Sequence, residues 1–147
     1  MFAACDPITS STNAEYTCVF EEECAKMPRN FSYEESASLA FIGVTCYSAL
    51  QSSLRKYSRV FVNGGNGAVG AFAIQYLKNE WDCQVSASCS SENEELVRKL
   101  GADKIVHRDR IFQGDRLENG YDLFLDGTPD IENDNQITKL YKQKNLH

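Results

Sequence analysis

Only two histidines, His107 and His147, stand in this chain of 147 residues. With so few, no Ser-His-Asp or Cys-His constellation can be assembled. Six cysteines occur, at 5, 18, 24, 46, 83 and 89, without a C-x-x-C pair. A zinc site therefore lacks its usual ligand spacing, and no metal is expected. Several of the cysteines sit in apolar runs, where free cysteine behaves as a small core residue. They read as reduced and structural, which places the chain in a reducing, intracellular compartment; a disulfide framework is the lesser alternative. The chain also lacks a basic run, and its net charge is −6. That argues against nucleic acid or an anionic membrane as partner. No apolar stretch is long enough to span a bilayer. Met1-Phe2-Ala3-Ala4-Cys5-Asp6-Pro7 has neither a charged leader nor a long apolar core, so it does not read as a signal or transit peptide. Hydrophobic residues make up 42% of the chain and charged residues 24%, enough for one soluble domain with a core.

The richest stretch is Arg59-Val60-Phe61-Val62-Asn63-Gly64-Gly65-Asn66-Gly67-Ala68-Val69-Gly70. Val60 to Val62 form a continuous apolar run, the mark of a strand buried on both faces. Gly65, Gly67 and Gly70 then match the G-x-G-x-x-G spacing. In that spacing the first glycine permits a tight turn and the second lets the backbone approach a pyrophosphate. The third lets helix and strand pack closely. Val69, Phe72, Ala73, Tyr76 and Leu77 recur at helical spacing and predict a helix over about 67–79, its N–H groups aimed at phosphate. A phosphate-hydrolysing P-loop is disfavoured, because Ala71 follows the last glycine where Lys-Ser or Lys-Thr would be required.

The rest of the chain supplies the context. Residues 1–14 read as irregular, and Glu15 to Phe20 as a strand. Ser32-Tyr33-Glu34-Glu35 is a capping box that opens a helix with Ala37, Ala40, Phe41, Val44 and Tyr47 inward, pausing at Gly43 and resuming through Leu50 and Leu54. Cys83 to Ser88 predicts a second strand. Ser91-Glu92-Asn93-Glu94 is a second capping box, opening a helix with Leu96, Val97 and Leu100 inward and Gly101 at its C-terminal cap. Lys104 to His107 and Tyr121 to Asp126 are further strands. Strand and helix alternate, which demands parallel pairing and an α/β fold. The polar tail from 131 to 147 carries no clear pattern.

These segments together resemble the medium-chain dehydrogenase/reductase superfamily, in its quinone-oxidoreductase-like branch. The resemblance rests on Gly43-Val44-Thr45-Cys46-Tyr47-Ser48-Ala49-Leu50 and on Asn63 to Gly70 with Ala71-Phe72-Ala73-Ile74-Gln75. It rests also on Glu95 to Asp103 and Tyr121 to Asp126. It implies a Rossmann-type doubly wound parallel sheet, here partial with about four strands, preceded by a remnant of a GroES-like β domain. On that plan residues 1–31 are the remnant, 32–57 a connecting helix and 58–147 a partial NAD(P)-binding domain. The resemblance implies hydride transfer from NADPH to a small quinone or enone without zinc. In zinc-dependent relatives a cysteine ligand stands six residues before Tyr47, where this chain has Phe41. The implied location is mitochondrial, or cytoplasmic if the resemblance does not extend that far.

Candidate cofactor residues follow. Gly65, Asn66, Gly67, Ala68, Val69 and Gly70 form the phosphate turn. The end of the second strand should meet the adenosine ribose, where an acid favours NADH and its absence admits a 2′-phosphate. Val85 to Ser91 holds no acid, so Ser88 and Ser90 are candidate phosphate donors and NADPH is preferred to NADH. Glu92, one residue beyond, is the counter-evidence. His107 and Arg108 end the third Rossmann strand and could face the same phosphate, although a solvated loop is an equal alternative. Thr45 and Tyr47 match a family motif near the nicotinamide, or serve helix packing. Asp122 and Asp126 read as turn and strand-end residues. No general acid is identifiable. The rival to a reductase is a non-catalytic isoform or pseudoenzyme that binds nucleotide or a protein. An incomplete sheet leaves an open edge, which admits pairing with a second copy or another chain.

Overall fold

A computed structural model describes residues 1–5, 12–56, 58–108 and 120–128, and these divide into two compact units that meet between Ala49 and Leu50. In the first unit, β1 (Phe2–Ala3) pairs antiparallel with β2 (Cys24–Ala25). This corrects two expectations. A strand lies inside the stretch read as irregular, and Glu15 to Phe20 form none. Tyr16 and Phe20 are largely exposed there. Strand propensity expresses fit to a pleated, half-buried surface, and these side chains have no such surface.

α1 (Tyr33–Gln51) opens on the expected capping box. The Glu35 backbone N–H donates to Ser32 Oγ at 3.1 Å, and the Ser32 N–H donates to Glu35 Oε2 at 2.8 Å. The helix runs through Gly43 without the expected pause and ends before Leu54. Its buried positions are Ser36, Ala40, Cys46 and Leu50, whereas Phe41, Val44 and Tyr47 are more than half exposed. Two stripes of the helix recur at the same spacing. The stripe of smaller side chains is the one buried, and periodicity alone cannot rank them.

The second unit is built on β3 (Arg59–Asn63), β4 (Gln84–Cys89), β5 (Lys104–His107) and β6 (Leu123–Asp126). The sheet order is β5-β4-β3-β6 and every pairing is parallel. Numbered along the sheet unit, that is 3-2-1-4, half of the doubly wound order. Val60, Phe61 and Val62 are fully buried, as their continuous apolar run predicts. Phe61 stacks on Phe124 at 5.2 Å and meets Tyr121 edge-on at 5.4 Å. At the other end of β3, Asp122 accepts the Arg59 N–H at 2.8 Å, the turn role expected of it.

α2 (Ala68–Trp81) follows β3, and its fully buried residues are Gly70, Ala73, Ile74 and Leu77. Val69, Phe72 and Tyr76, expected inward, are only half-buried. Gly70 and Ala73, the small residues among them, let the helix lie close to the sheet, with the aromatics at the flank. α3 (Glu94–Lys99) buries Val97 but leaves Leu96 half exposed. The second capping box is not formed. A 3₁₀ turn over Ser91–Asn93 begins after Ser90, without a side-chain cap, and Glu94 turns to other partners. The end of α3 is as expected. Gly101 adopts φ 110°, its N–H donates to the Arg98 carbonyl, and the Ala102 N–H donates to the Val97 carbonyl. That is a Schellman closure, which favours glycine at this position. The tail from 131 to 147 lies outside the described residues.

Cys46, Cys83 and Cys89 are fully buried free thiols, while Cys5, Cys18 and Cys24 retain exposure. Burial pushes the Cys46 thiol up to about 11 and raises those of Cys83 and Cys89. Only a thiolate reacts readily with an alkylating agent. Pulsed labelling at neutral pH should therefore modify 5, 18 and 24 first. Labelling of 46, 83 and 89 should follow only on unfolding, as peptide mass spectrometry across a urea series would reveal.

Candidate functional site

The β3–α2 turn places its glycines for distinct steric reasons. Gly64 is the residue with positive φ, at 75°, so it makes the sharp turn expected of Gly65. Gly65 is instead a packing residue: a Cβ there would lie 2.9 Å from Ala87 Cβ and 3.1 Å from Val97 Cγ1. Gly70 performs the role expected of the third glycine, since a Cβ there would fall 2.1 Å from the Gly64 carbonyl oxygen. Gly67 is the N-cap of α2, with extended backbone and no side-chain cap. The first turn of α2 also contains no acid. Asn66 and Ala68 are exposed beside it. The first N–H groups of a helix have no partner within it, and the dipole adds positive potential there. The Gly67 N–H donates to the Gly64 carbonyl at 3.0 Å, and a helix start without a side-chain cap or an acid at the end of a central parallel strand is suited to an anion. Gly67 and Ala68 to Gly70 thus stand where the sequence spacing predicts phosphate.

A buried polar network sets this turn, and sequence reasoning did not find it. Ser88, fully buried on β4, accepts the Gly64 N–H at its Oγ at 3.0 Å and donates to Asn63 Oδ1. Its carbonyl accepts the Gly65 N–H at 2.7 Å. Asn63, 1% exposed, donates from Nδ2 to Asp126 Oδ1 at 3.0 Å. That carboxylate oxygen also accepts the Thr128 N–H and hydroxyl, at 2.9 and 2.8 Å. One chain of hydrogen bonds so ties the C-terminal ends of β4, β3 and β6. The Ser88 hydroxyl, expected as a phosphate donor, is engaged inside the fold with Gly64 and Asn63. The signal available in the sequence was a polar Asn63 ending an apolar run. Asp126 keeps the strand-end role expected of it.

The corner expected to meet a ribose is formed where β4 and β5 end, with Cys89 paired to His107. Ser90 is partly exposed, and its hydroxyl accepts from Asn93 Nδ2 at 2.8 Å. His107 lies between two groups from the segment after β4. Its Nε2 is 3.3 Å from Glu94 Oε2, and its Nδ1 is 3.4 Å from Ser91 Oγ. Arg98 pairs with the other oxygen of Glu94 at 2.8 Å. The Arg98 hydrogen bond, aided by His107, holds the Glu94 carboxyl below its ordinary value against desolvation. Arg108 follows His107, and its buried Nε has no hydrogen-bond partner among the described residues. His107, Ser90 and Ser91 are thus gathered as polar groups, and Arg108 follows directly in the chain after β5. Glu94, not singled out from the sequence, joins them as an acid.

Thr45 belongs to the first unit, exposed on α1, with its hydroxyl donating back to the Phe41 carbonyl at 2.8 Å. A cavity of about 1120 Å³ in that unit, bordered by Phe2, Met27, Tyr33, Ser36 and Ala40, holds none of the expected cofactor residues. Among the described residues no group of three His, Cys, Asp or Glu could hold a metal ion. None of their helices is long and apolar enough to cross a membrane.

A parallel sheet in this order, with a glycine turn feeding a helix without a side-chain cap, defines a Rossmann-type α/β protein. Comparison with known proteins narrows the class. The chain is 38% identical over 112 residues to the mitochondrial NAD(P)H oxidoreductase RTN4IP1 of Bos taurus, covering 72% of this chain and 28% of the relative. It is 38% identical over 102 residues to the trans-enoyl reductase pgmF of Aspergillus terreus, covering 68% and 28%. The quinone oxidoreductase of Thermus thermophilus, solved also in complex with NADPH, superposes with a TM-score of 0.66 at 25% identity, covering 80% of this chain and 40% of that one. No family model matches. The chain belongs to the medium-chain dehydrogenase/reductase superfamily, in its quinone-oxidoreductase-like branch. It spans little more than a quarter of the length of the first two relatives.

Proposed function

We propose that this chain holds the adenosine and pyrophosphate part of a nicotinamide dinucleotide, NADPH in preference to NADH, as the cofactor-binding portion of a zinc-free quinone or enone reductase. The observation that carries the proposal is the α2 start. It has no side-chain cap and no acid in its first turn, and glycine backbone approaches it. Gly67 and the backbone of Ala68, Val69 and Gly70 would receive the pyrophosphate. Asn63 and Ser88 hold that turn in place from behind. Ser90, Ser91, His107 and Arg108 supply donors for a 2′-phosphate, and no acid stands between Val85 and Ser91. The Thermus relative was solved with NADPH, which supports the preference. The bound nicotinamide would supply hydride to an electron-poor carbon–carbon double bond or a quinone. Thr45, on α1, is the candidate contact on the nicotinamide side. The first unit would be the GroES-like remnant, and the location mitochondrial, as the RTN4IP1 name indicates for that relative.

A second reading, a nucleotide-binding module without turnover, is favoured by the length of relative that the chain leaves unmatched. Among the described residues β6 pairs only with β3, so its other edge could receive a second copy or another protein. Calorimetric titration with NADPH, NADH and ADP-ribose tests the binding claim, and NADPH oxidation with an added quinone tests turnover. Micromolar NADPH binding with quinone-dependent oxidation is the expected result for a reductase. Binding without oxidation would leave the module, and no binding of any of the three would contradict both.

A further inference from the structure

We propose that Glu94 sets the coenzyme preference of the ribose corner by holding His107 away from a 2′-phosphate. The proposal rests on the dinucleotide reading of the glycine turn. His107 is the donor nearest the ends of β4 and β5, and its two ring nitrogens already face partners. Nε2 meets the Glu94 carboxylate at 3.3 Å, and Nδ1 meets the Ser91 hydroxyl at 3.4 Å. With the Nε2 proton given to Glu94, Nδ1 accepts from Ser91, and the serine proton too is taken up. With these donors engaged, a 2′-phosphate must displace their partners, so the preference for NADPH is weaker than free donors would give. Ser90 is occupied in the same manner, accepting from Asn93 and lying 3.4 Å from Glu92 Oε1.

Glu94 can nevertheless release His107. Arg98 holds its other oxygen at 2.8 Å, so the carboxylate keeps a partner when the imidazole turns away. Arg108, next to His107 in the chain, carries a buried Nε that no described residue satisfies. A 2′-phosphate would have to draw His107 from Glu94 and recruit Arg108, while enduring the Glu94 charge. Phosphate binding and the His107–Glu94 pair are therefore competing states of one imidazole. These residues lie at the ends of β4 and β5, to one side of the turn that follows β3, so the competition concerns the 2′-position.

The test is a double-mutant cycle read on the ratio of NADH to NADPH dissociation constants. Glu94→Gln should raise the preference for NADPH by about fivefold or more, within the usual range for coupled neighbours. In a His107→Gln background the same change should have less than about half that effect, since the imidazole that Glu94 restrains is gone. ADP-ribose affinity should change less than NADPH affinity in Glu94→Gln. An unchanged ratio in Glu94→Gln, or an equal shift with and without His107, would overturn the proposal. Failure of the parent chain to bind any of the three ligands would overturn the dinucleotide reading together with it. A measurement on the unmodified chain guards against a variant that fails to fold. The His107 ring resonances, identified by their loss in His107→Gln, should shift with 2′,5′-ADP and not with 5′-ADP. Equal response to both nucleotides would also overturn the proposal.

Discussion

Gly70→Ala should unfold the β3–α2 turn. The added Cβ would fall 2.1 Å from the Gly64 carbonyl oxygen and 2.9 Å from the Gly65 Cα, all backbone that cannot rotate aside. Overpacking a well-filled site costs about 1–3 kcal/mol, and more where backbone must move. The expected loss is therefore about 3 kcal/mol in urea denaturation, a large share of the stability of a small domain. Gly67→Ala is the informative contrast. Its Cβ would meet the Gly64 oxygen at 3.3 Å and the Gly127 oxygen at 3.7 Å, and its backbone is extended. Stability should change little, while pyrophosphate approach, the role of the middle glycine, is lost. A stable Gly70→Ala chain, or a Gly67→Ala chain that binds NADPH as the parent does, would contradict these assignments.

Ser88→Ala should carry the second largest effect. It removes the acceptor of the buried Gly64 N–H and the donor to Asn63 Oδ1 together. Leaving buried polar groups unpaired costs about 1–3 kcal/mol each, beyond the bond itself. The midpoint of urea denaturation should fall, and the Gly64 amide should exchange with solvent much faster. Nucleotide affinity should fall as well, through loss of turn geometry and not through loss of a ligand contact. If Ser88 instead touched the ribose phosphate, Ser88→Ala would weaken NADPH selectively and leave ADP-ribose binding and amide exchange unaltered. The two roles are thus separable by one variant and two ligands.

Much of the sheet unit was legible before its structure. The apolar run at 60–62 and the alternation through 126 express burial and connectivity, which few competing arrangements satisfy. The result is the 3-2-1-4 order with all strands parallel. The first unit was less legible, because β1 and β2 are two residues each and exist through their mutual pairing. Nothing in Phe2-Ala3 marks it as a strand. Helix faces were found to within one stripe only, as Phe41 and Leu96 illustrate. The pattern reports which positions align, but the size of the side chains decides which face can approach.

In the site, residue types were more visible than their obligations. A serine at 88 suggests a donor near a cofactor. Only its depth between Gly64 and Asn63 shows that the hydroxyl is already committed. Glycine spacing likewise located the turn but shifted its conformational demand by one residue, from Gly64 to Gly65. The positive φ depends on how the chain leaves β3, which spacing does not encode. Glu94 was hidden by its place in an apparent capping box. That motif also fits a 3₁₀ turn that begins after Ser90, which frees the acid to reach Arg98 and His107.

The central claim is that the start of α2 receives the pyrophosphate of a dinucleotide. Amide chemical shifts of the ¹⁵N-labelled chain during titration with ADP-ribose test it most directly, since that ligand lacks both nicotinamide and 2′-phosphate. The largest shifts should fall on the N–H groups of Gly67, Ala68, Val69 and Gly70. Smaller shifts should appear at Ser90 and Ser91, and none at β1 or β2. Saturable shifts that bypass residues 67–70, or no shifts at millimolar ADP-ribose, would contradict the claim.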